Sequence, residues 1–146
     1  IGMNSRLDTI QAAVLLVKLK HFPGEVEARG RIAEYYSQHL ADCCVTPHIE
    51  EYNRSVFAQY VIQTNHRDEL QNSLKERHIP TAVYYPKPLH LQTALNSYGY
   101  RQGDFPVSEG LCDRVLALPM HPFLTREDQD AVIGVIQEFF KNTVKI

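Results

Sequence analysis

Residues 84–90, with the sequence YYPKPLH, bring phenol, ammonium and imidazole groups together in one short segment. Two prolines fix φ and remove two backbone donors, so this segment, the proline loop, cannot be regular structure. A stiff loop presents side chains to a ligand at a low entropic cost. The side chains that it offers to a substrate are those of Tyr84, Tyr85, Lys87 and His90. An alternative stays open, in which one tyrosine packs in the core and the histidine is structural and hydrogen-bonded.

A second candidate site lies at the start of the chain, in Asn4-Ser5-Arg6. The amide N–H groups of Asn4 suit phosphate oxygens, and the beginning of a helix favours an anion. The alternative is that Asn4 or Ser5 only caps the first helix, since Ser5 and Asp8 have the spacing of a capping box. Arg6 either pairs with a phosphate or carboxylate or is an exposed arginine of the first turn.

Metal and disulfide chemistry are not indicated. Neither C-x-x-C nor H-E-x-x-H occurs, and the seven histidines are dispersed along the chain, so no metal site is predicted. The cysteines are odd in number, and adjacent Cys43 and Cys44 cannot close an ordinary disulfide without backbone strain. We therefore expect reduced thiols.

Length, composition and charge limit the number of domains and the classes of partner. A chain of 146 residues with 44% hydrophobic residues predicts one domain with its own core. The net charge of −2 and the scattered basic residues argue against nucleic acid and anionic membranes as partners. The apolar run of the first helix is too short to span a bilayer, and Arg6 and Asp8 ahead of it do not resemble a signal peptide. These features predict a cytoplasmic protein.

The elements that position these residues alternate between helix and strand periodicity. Thr125 with Asp128 predicts the cap of the last helix, which ends near Phe140. The fold class is accordingly α/β (α+β), a small sheet covered mainly on one face by helices. The predicted helices are 6–20, ended by Pro23-Gly24, then 25–40, 67–77, 106–115 and the last one, and the predicted strands are 55–63, 81–85 and 116–119.

The first predicted helix is apolar on nearly every side. A domain that starts at its own N-terminus rarely begins with such a helix, so we interpret the chain as a piece of a larger protein. Residues 1–22 are then an interface helix, and residues 23–146 are a small C-terminal domain. If Leu15, Leu16 and Leu19 stay wet, the isolated chain is expected to self-associate through residues 7–20 or to leave them disordered.

Four segments stand out in order along the chain, namely NSRLD running into QAA (4–13), YYPKPLHLQ (84–92), GDFP (103–106) and LALPMHP (116–122). Together they resemble the C-terminal part of the DegT/DnrJ/EryC1/StrS family of sugar aminotransferases, in the same order and over almost the whole chain. The resemblance implies a domain of the aspartate-aminotransferase-like fold. It also implies pyridoxal 5′-phosphate (PLP) as cofactor, and amination of keto sugars attached to nucleotides. The branch it is most similar to aminates UDP-linked 3-keto-hexuronic acids for bacterial surface polysaccharides.

The resemblance also assigns roles. The catalytic lysine and the acidic partner of the pyridine nitrogen belong to the large domain upstream, and none of the six lysines here lies in the family's lysine motif, so the chain holds no catalytic residue and alone should not transaminate. In the implied homodimer, Asn4 reaches the cofactor phosphate of the other subunit. Arg6 and the proline loop lie near the nucleotide-sugar bound at the partner's site, and an amino acid is the amino donor of the full-length enzyme. The alternatives left open are an autonomous small-ligand-binding or regulatory module derived from this fold, and a scaffold domain.

Overall fold

The computed structural model describes residues 7–143. The described residues form four α-helices, two β-strands and two short 3₁₀ turns, Leu89–Leu91 at the end of the proline loop and Thr93–Tyr98 after it. None of the helices in this described range combines the length and apolar character that a bilayer crossing requires. The elements are α1 (Thr9–Leu40), β1 (Tyr60–Gln63), α2 (Arg67–Glu76), α3 (Pro106–Arg114), β2 (Val115–Leu118) and α4 (Arg126–Thr143).

Helix α1 is a single helix, and the predicted break at Pro23-Gly24 is wrong. Proline inside a helix removes one hydrogen bond, which would have been accepted by the carbonyl of Leu19. Both Leu19 and Pro23 are exposed, so water can satisfy that carbonyl and the helix continues. The N-cap is Asp8, whose carboxylate accepts the backbone N–H of Gln11 at 2.9 Å. Ser5, the other half of the predicted capping box, lies outside the described residues.

Strands β1 and β2 pair antiparallel, from Tyr60 opposite Leu118 to Gln63 opposite Val115. The predicted strand over 55–63 is shorter than expected because Phe57 has a φ of 43°, in the left-handed region, which interrupts an extended chain. The predicted strand over 81–85 reduces to one isolated bridge between Ala82 and Ala117. The following prolines cannot donate to a ladder, so pairing stops there.

The core lies on one face of this sheet. Tyr60 and Ile62 of β1 point into it and alternate with Val61, which belongs to the opposite face. The second half of α1 packs on α4, and α2 packs on both α4 and β2. The layout confirms the predicted sheet covered on one face by helices. The largest fully buried side chains are those of Tyr36, Tyr60, Leu40, Ile62, Leu70, Leu74, Leu116 and Ile136.

Candidate functional site at the proline loop

An open groove of about 1010 Å³ runs along the sheet face opposite the core. Its floor is the outward side of the two strands, with Val61, Val115 and Ala117. One wall is the proline loop, and the other is the segment 104–108, which includes the first turn of α3. The chain therefore places the predicted loop beside a largely apolar depression that its own helices leave uncovered.

The proline loop turns its chemistry outward. Tyr84 and Tyr85 are 54% and 72% exposed, so the alternative in which one of them packs in the core is wrong. The reason is that residues 81–85 form no continuous strand, and the alternation of faces does not apply. Lys87 is exposed as well, whereas Pro88 is buried and anchors the loop. Both phenols and the ammonium group are thus available to a ligand.

His90 differs from the other loop residues. Its side chain is only 8% exposed, its Nε2 lies 3.0 Å from Oε1 of Glu109, and its ring stands 4.8 Å from that of Phe105. This geometry matches the alternative of a hydrogen-bonded structural histidine. It leaves little surface for direct contact with a substrate.

Glu109 is a functional candidate that sequence reasoning missed. Its carboxylate accepts the backbone N–H of Gly103 at 2.9 and 3.0 Å, the N–H of Phe105 at 3.3 Å, and the His90 ring. The hydrogen bond from Gly103 is the main cause that lowers the pKa of Glu109, and the bonds from Phe105 and His90 lower it further against partial desolvation. The available signal was an acidic residue in the first turn of a helix behind a glycine-containing loop.

The remaining predicted residues, Asn4 and Arg6, lie outside the described residues, so their part of the site keeps the status of a prediction. The thiols, by contrast, are all described. Cys43, Cys44 and Cys112 are free, and desolvation raises the pKa of each. Burial thus makes these thiols less reactive.

The side chains that line the groove carry little charge. Among the described residues that line it, Lys87 is the single cationic side chain and Asp104 adds a carboxylate. A phosphate is normally held by several donors, so these residues do not by themselves form a site for the PLP phosphate. Residues 7–143 also contain no group of three side chains suited to a metal ion. The groove suits a ring with apolar faces and a polar rim.

Comparison with known proteins identifies the family. The model described as the DegT/DnrJ/EryC1/StrS aminotransferase family matches residues 1–137, so the chain belongs to this family. The resemblance seen in the motifs is thereby confirmed. Its fold prediction is confirmed as well, because a DegT DnrJ EryC1 StrS aminotransferase from Brucella abortus superposes with a TM-score of 0.89 at 53% identity. That match covers 95% of this chain and 37% of the other.

Two curated relatives are similar to this chain over most of its length. The pleiotropic regulatory protein of Geobacillus stearothermophilus is 44% identical, over 97% of this chain and 39% of the relative. The UDP-2-acetamido-2-deoxy-3-oxo-D-glucuronate aminotransferase of Pseudomonas aeruginosa is 43% identical, over 85% of this chain and 34% of the relative. The chain thus spans well under half the length of these proteins.

Proposed function

We propose that this chain is the C-terminal domain of a PLP-dependent aminotransferase that aminates a nucleotide-linked keto sugar, with a UDP-3-keto-hexuronic acid as the preferred substrate. The observation that carries the proposal is the 43% identity to an aminotransferase of a UDP-linked 3-oxo-glucuronate, in a chain whose family match runs over residues 1–137. The product would serve bacterial surface polysaccharide or related sugar synthesis. Residues 1–22 form the interface helix of this proposal, and 23–146 form the small domain.

The cofactor would be held mainly by residues outside this chain. PLP, when bound, supplies an electron sink for carbanion chemistry. The lysine and the acidic pyridine partner that this chemistry requires belong, in this proposal, to the large domain. Asn4 contributes amide donors to the cofactor phosphate across a homodimer interface, where a helix N-terminus also favours an anion.

The substrate would lie against the proline loop. The exposed phenols of Tyr84 and Tyr85 can donate to sugar or phosphate oxygens, and the apolar strand residues below them can support a ring. Lys87 and Arg6 supply positive charge for the carboxylate of a hexuronic acid or for the diphosphate. The amino donor is an amino acid, and the free thiols favour a reducing compartment such as the cytoplasm.

The test uses the full-length protein encoded by the gene. It is offered an amino-acid donor with a UDP-linked 3-keto-hexuronic acid, and in parallel with a dTDP-linked 3-keto-deoxyhexose, and products are read by mass spectrometry. We expect amination of the UDP-linked acid. Amination of the dTDP sugar alone would overturn the substrate class, and amination of neither would overturn the proposal.

A matched pair of variants tests the loop. Lys87→Met removes the ammonium group beside the groove, and we expect its KM for the UDP-linked acid to rise about tenfold, the loss of one charge-assisted contact. Lys75→Met, on the exposed side of α2, is the control and should leave KM unchanged. The isolated chain mixed with PLP should retain no lysine-bound PLP after borohydride reduction, whereas the full-length protein should.

The regulatory alternative is favoured by one observation, the 44% identity to the pleiotropic regulatory protein of Geobacillus stearothermophilus. In that case the chain would belong to a protein that binds a nucleotide sugar without aminating it. Calorimetric binding of the UDP-linked acid, together with an unchanged substrate mass after incubation with the donor, would support this second function over the first.

A further inference from the structure

We propose that His90 and Glu109 act as a pair of positioning residues that hold the two walls of the groove together and so set the orientation of the proline loop toward the sugar. This inference rests on the proposed function and deepens it. His90 ends the proline loop on one wall, and Glu109 lies in the first turn of α3 on the other. Their 3.0 Å hydrogen bond therefore joins the two walls directly.

The carboxylate of Glu109 is also the point where the second wall is fixed. It accepts the backbone N–H groups of Gly103 and Phe105, which lie in the loop that leads into α3. Gly103 has a φ of 97°, a left-handed conformation that favours glycine, and this turn is what directs both N–H groups to one carboxylate. Loss of the carboxylate would leave two backbone donors and one ring donor without their acceptor.

The direction of the hydrogen bond follows from the charge of the acceptor. Hydrogen bonds from two backbone groups lower the pKa of Glu109, so the carboxyl is ionised at neutral pH and can only accept. Nε2 of His90 therefore carries the proton. A carboxylate as acceptor makes this a charge-assisted bond, which is stronger than one between neutral groups.

Ring packing and a second hydrogen bond connect the His90–Glu109 pair to the side of the groove that would face the substrate. The ring of His90 lies against Phe105, and Phe105 in turn contacts Tyr100 at 5.1 Å between centroids. Phe105 lines the groove, so the histidine places an aromatic face on the wall opposite the loop. From the other side, Nε2 of Gln92 donates to the carbonyl of Lys87 at 3.1 Å and holds the backbone of the loop.

The role that follows for His90 is different from contact with the substrate. The imidazole stands behind the loop, with its side chain almost fully buried, while the exposed tyrosines and Lys87 face outward. A change at His90 or Glu109 should therefore weaken binding of the sugar by letting the loop move. The chemistry at the cofactor and the binding of the amino donor should change little.

The experiment compares four variants of the full-length enzyme: His90→Leu, His90→Gln, Glu109→Ala and Glu76→Gln. His90→Leu and Glu109→Ala each remove the bond, and we expect the KM for the keto sugar to rise at least about tenfold, with kcat and the KM for the amino donor within about threefold. His90→Gln keeps an N–H donor at a similar reach and should restore most of the sugar KM. Glu76→Gln, an exposed change on α2, should have no effect.

Hydrogen exchange gives a readout that does not depend on turnover. In Glu109→Ala, the amides of Gly103 and Phe105 should lose their protection while those of β1 keep theirs. The double variant His90→Leu/Glu109→Ala should raise the sugar KM no further than either single variant, because both remove the same bond.

The outcomes separate the two proposals. An unmodified enzyme that aminates no nucleotide sugar would overturn the proposed function. If the unmodified enzyme is active and its variants lose amide protection but keep the sugar KM, only the positioning role of His90 and Glu109 is overturned. The pair would then be structural. A His90→Gln variant as impaired as His90→Leu would also overturn this role, because the donor would then not be what matters.

Discussion

The two halves of α1 belong to one helix but have opposite environments. In the first half, residues 9–22, Leu16 is 66% exposed, and it is typical of the large apolar side chains there. In the second half, residues 25–40, Tyr36 and Leu40 are completely buried against the sheet and α4. Helix formation is therefore the same in both halves, but only the second half has a partner among the described residues.

The difference shows that burial is decided by what the rest of the chain supplies. Apolar residues in the second half recur with the helical period and meet the core, whereas those of the first half surround the helix. The first half also carries an almost entirely apolar depression of about 560 Å³. We expect this surface, the exposed helix face, to be covered in the full-length protein. The face is formed by Leu7, Ala12, Leu15, Leu16, Leu19 and Phe22.

The largest expected effect comes from placing charge on the exposed helix face. The unmodified chain should self-associate, and Leu16→Glu/Leu19→Glu should sediment as a monomer, because burying two leucines is worth about 3–6 kcal/mol. Tyr52→Glu and Phe123→Glu change residues outside α1 that are even more exposed, and they should not alter the oligomeric state. If the unmodified chain sediments as a monomer while residues 9–22 are ordered and solvent-facing, the exposed helix face does not drive association and the prediction is contradicted.

A leucine truncation in each half should separate the two environments by stability. In the Leu16→Glu/Leu19→Glu background, Leu40→Ala should lower the free energy of unfolding by about 2–5 kcal/mol, because it opens a cavity in the core. Leu15→Ala in the exposed half should change it by less than about 0.5 kcal/mol. Urea unfolding followed by circular dichroism measures both, and equal losses would mean that the first half is also packed.

Arg29 connects the second half of α1 to two distant segments by hydrogen bonds. Its Nη1 donates to the carbonyls of Phe57 at 3.1 Å and Met120 at 3.2 Å. Arg29→Met should lower the free energy of unfolding by about 1–3 kcal/mol, because two part-buried carbonyls lose their donor. Arg31→Met, at the exposed neighbouring position, should stay within about 0.5 kcal/mol of the unmodified chain. If Arg29→Met leaves the free energy of unfolding unchanged, water replaces the guanidinium without cost.

The last expected effect appears only at alkaline pH. Burial raises the pKa of Tyr60 to about 12, and its hydroxyl lies 2.8 Å from that of Ser37 on the packed half of α1. The folded state thus holds this proton more tightly than the unfolded state, whose pKa is near 10. Stability should be full below pH 10 and fall as the pH rises toward 12. In Tyr60→Phe the fall between these pH values should be shallower, and an identical slope would contradict the assignment.

Local patterns predicted the elements whose causes lie within a few residues. Leu70 and Leu74 lie one helical turn apart, a spacing typical of the inward side of a helix, and both are fully buried on α2. Thr125 and Asp128 cap α4 reciprocally, with the Asp128 N–H donating to the Thr125 hydroxyl at 3.1 Å and the Thr125 hydroxyl to the Asp128 carboxylate at 2.8 Å. The stiff proline loop follows equally from its own residues. These features depend on side chains at most a turn apart.

The contacts that local patterns do not predict are those with distant partners. Arg29 donates to carbonyls that lie 28 and 91 residues away in sequence. His90 and Glu109 are separated by 19 residues and meet only because the sheet brings the proline loop and α3 together. The spacing of neighbouring residues does not predict such contacts.

By itself, the sequence determined which segments are helical, the cap of α4, the proline loop and membership of an aminotransferase family, because periodicity, proline geometry and motif order depend on neighbouring residues. Only the tertiary structure decided that α1 continues through Pro23, that strand 81–85 shrinks to one bridge, and that His90 stands behind its loop. Those outcomes depend on which groups water or distant atoms can satisfy, and that is settled when the whole chain has packed.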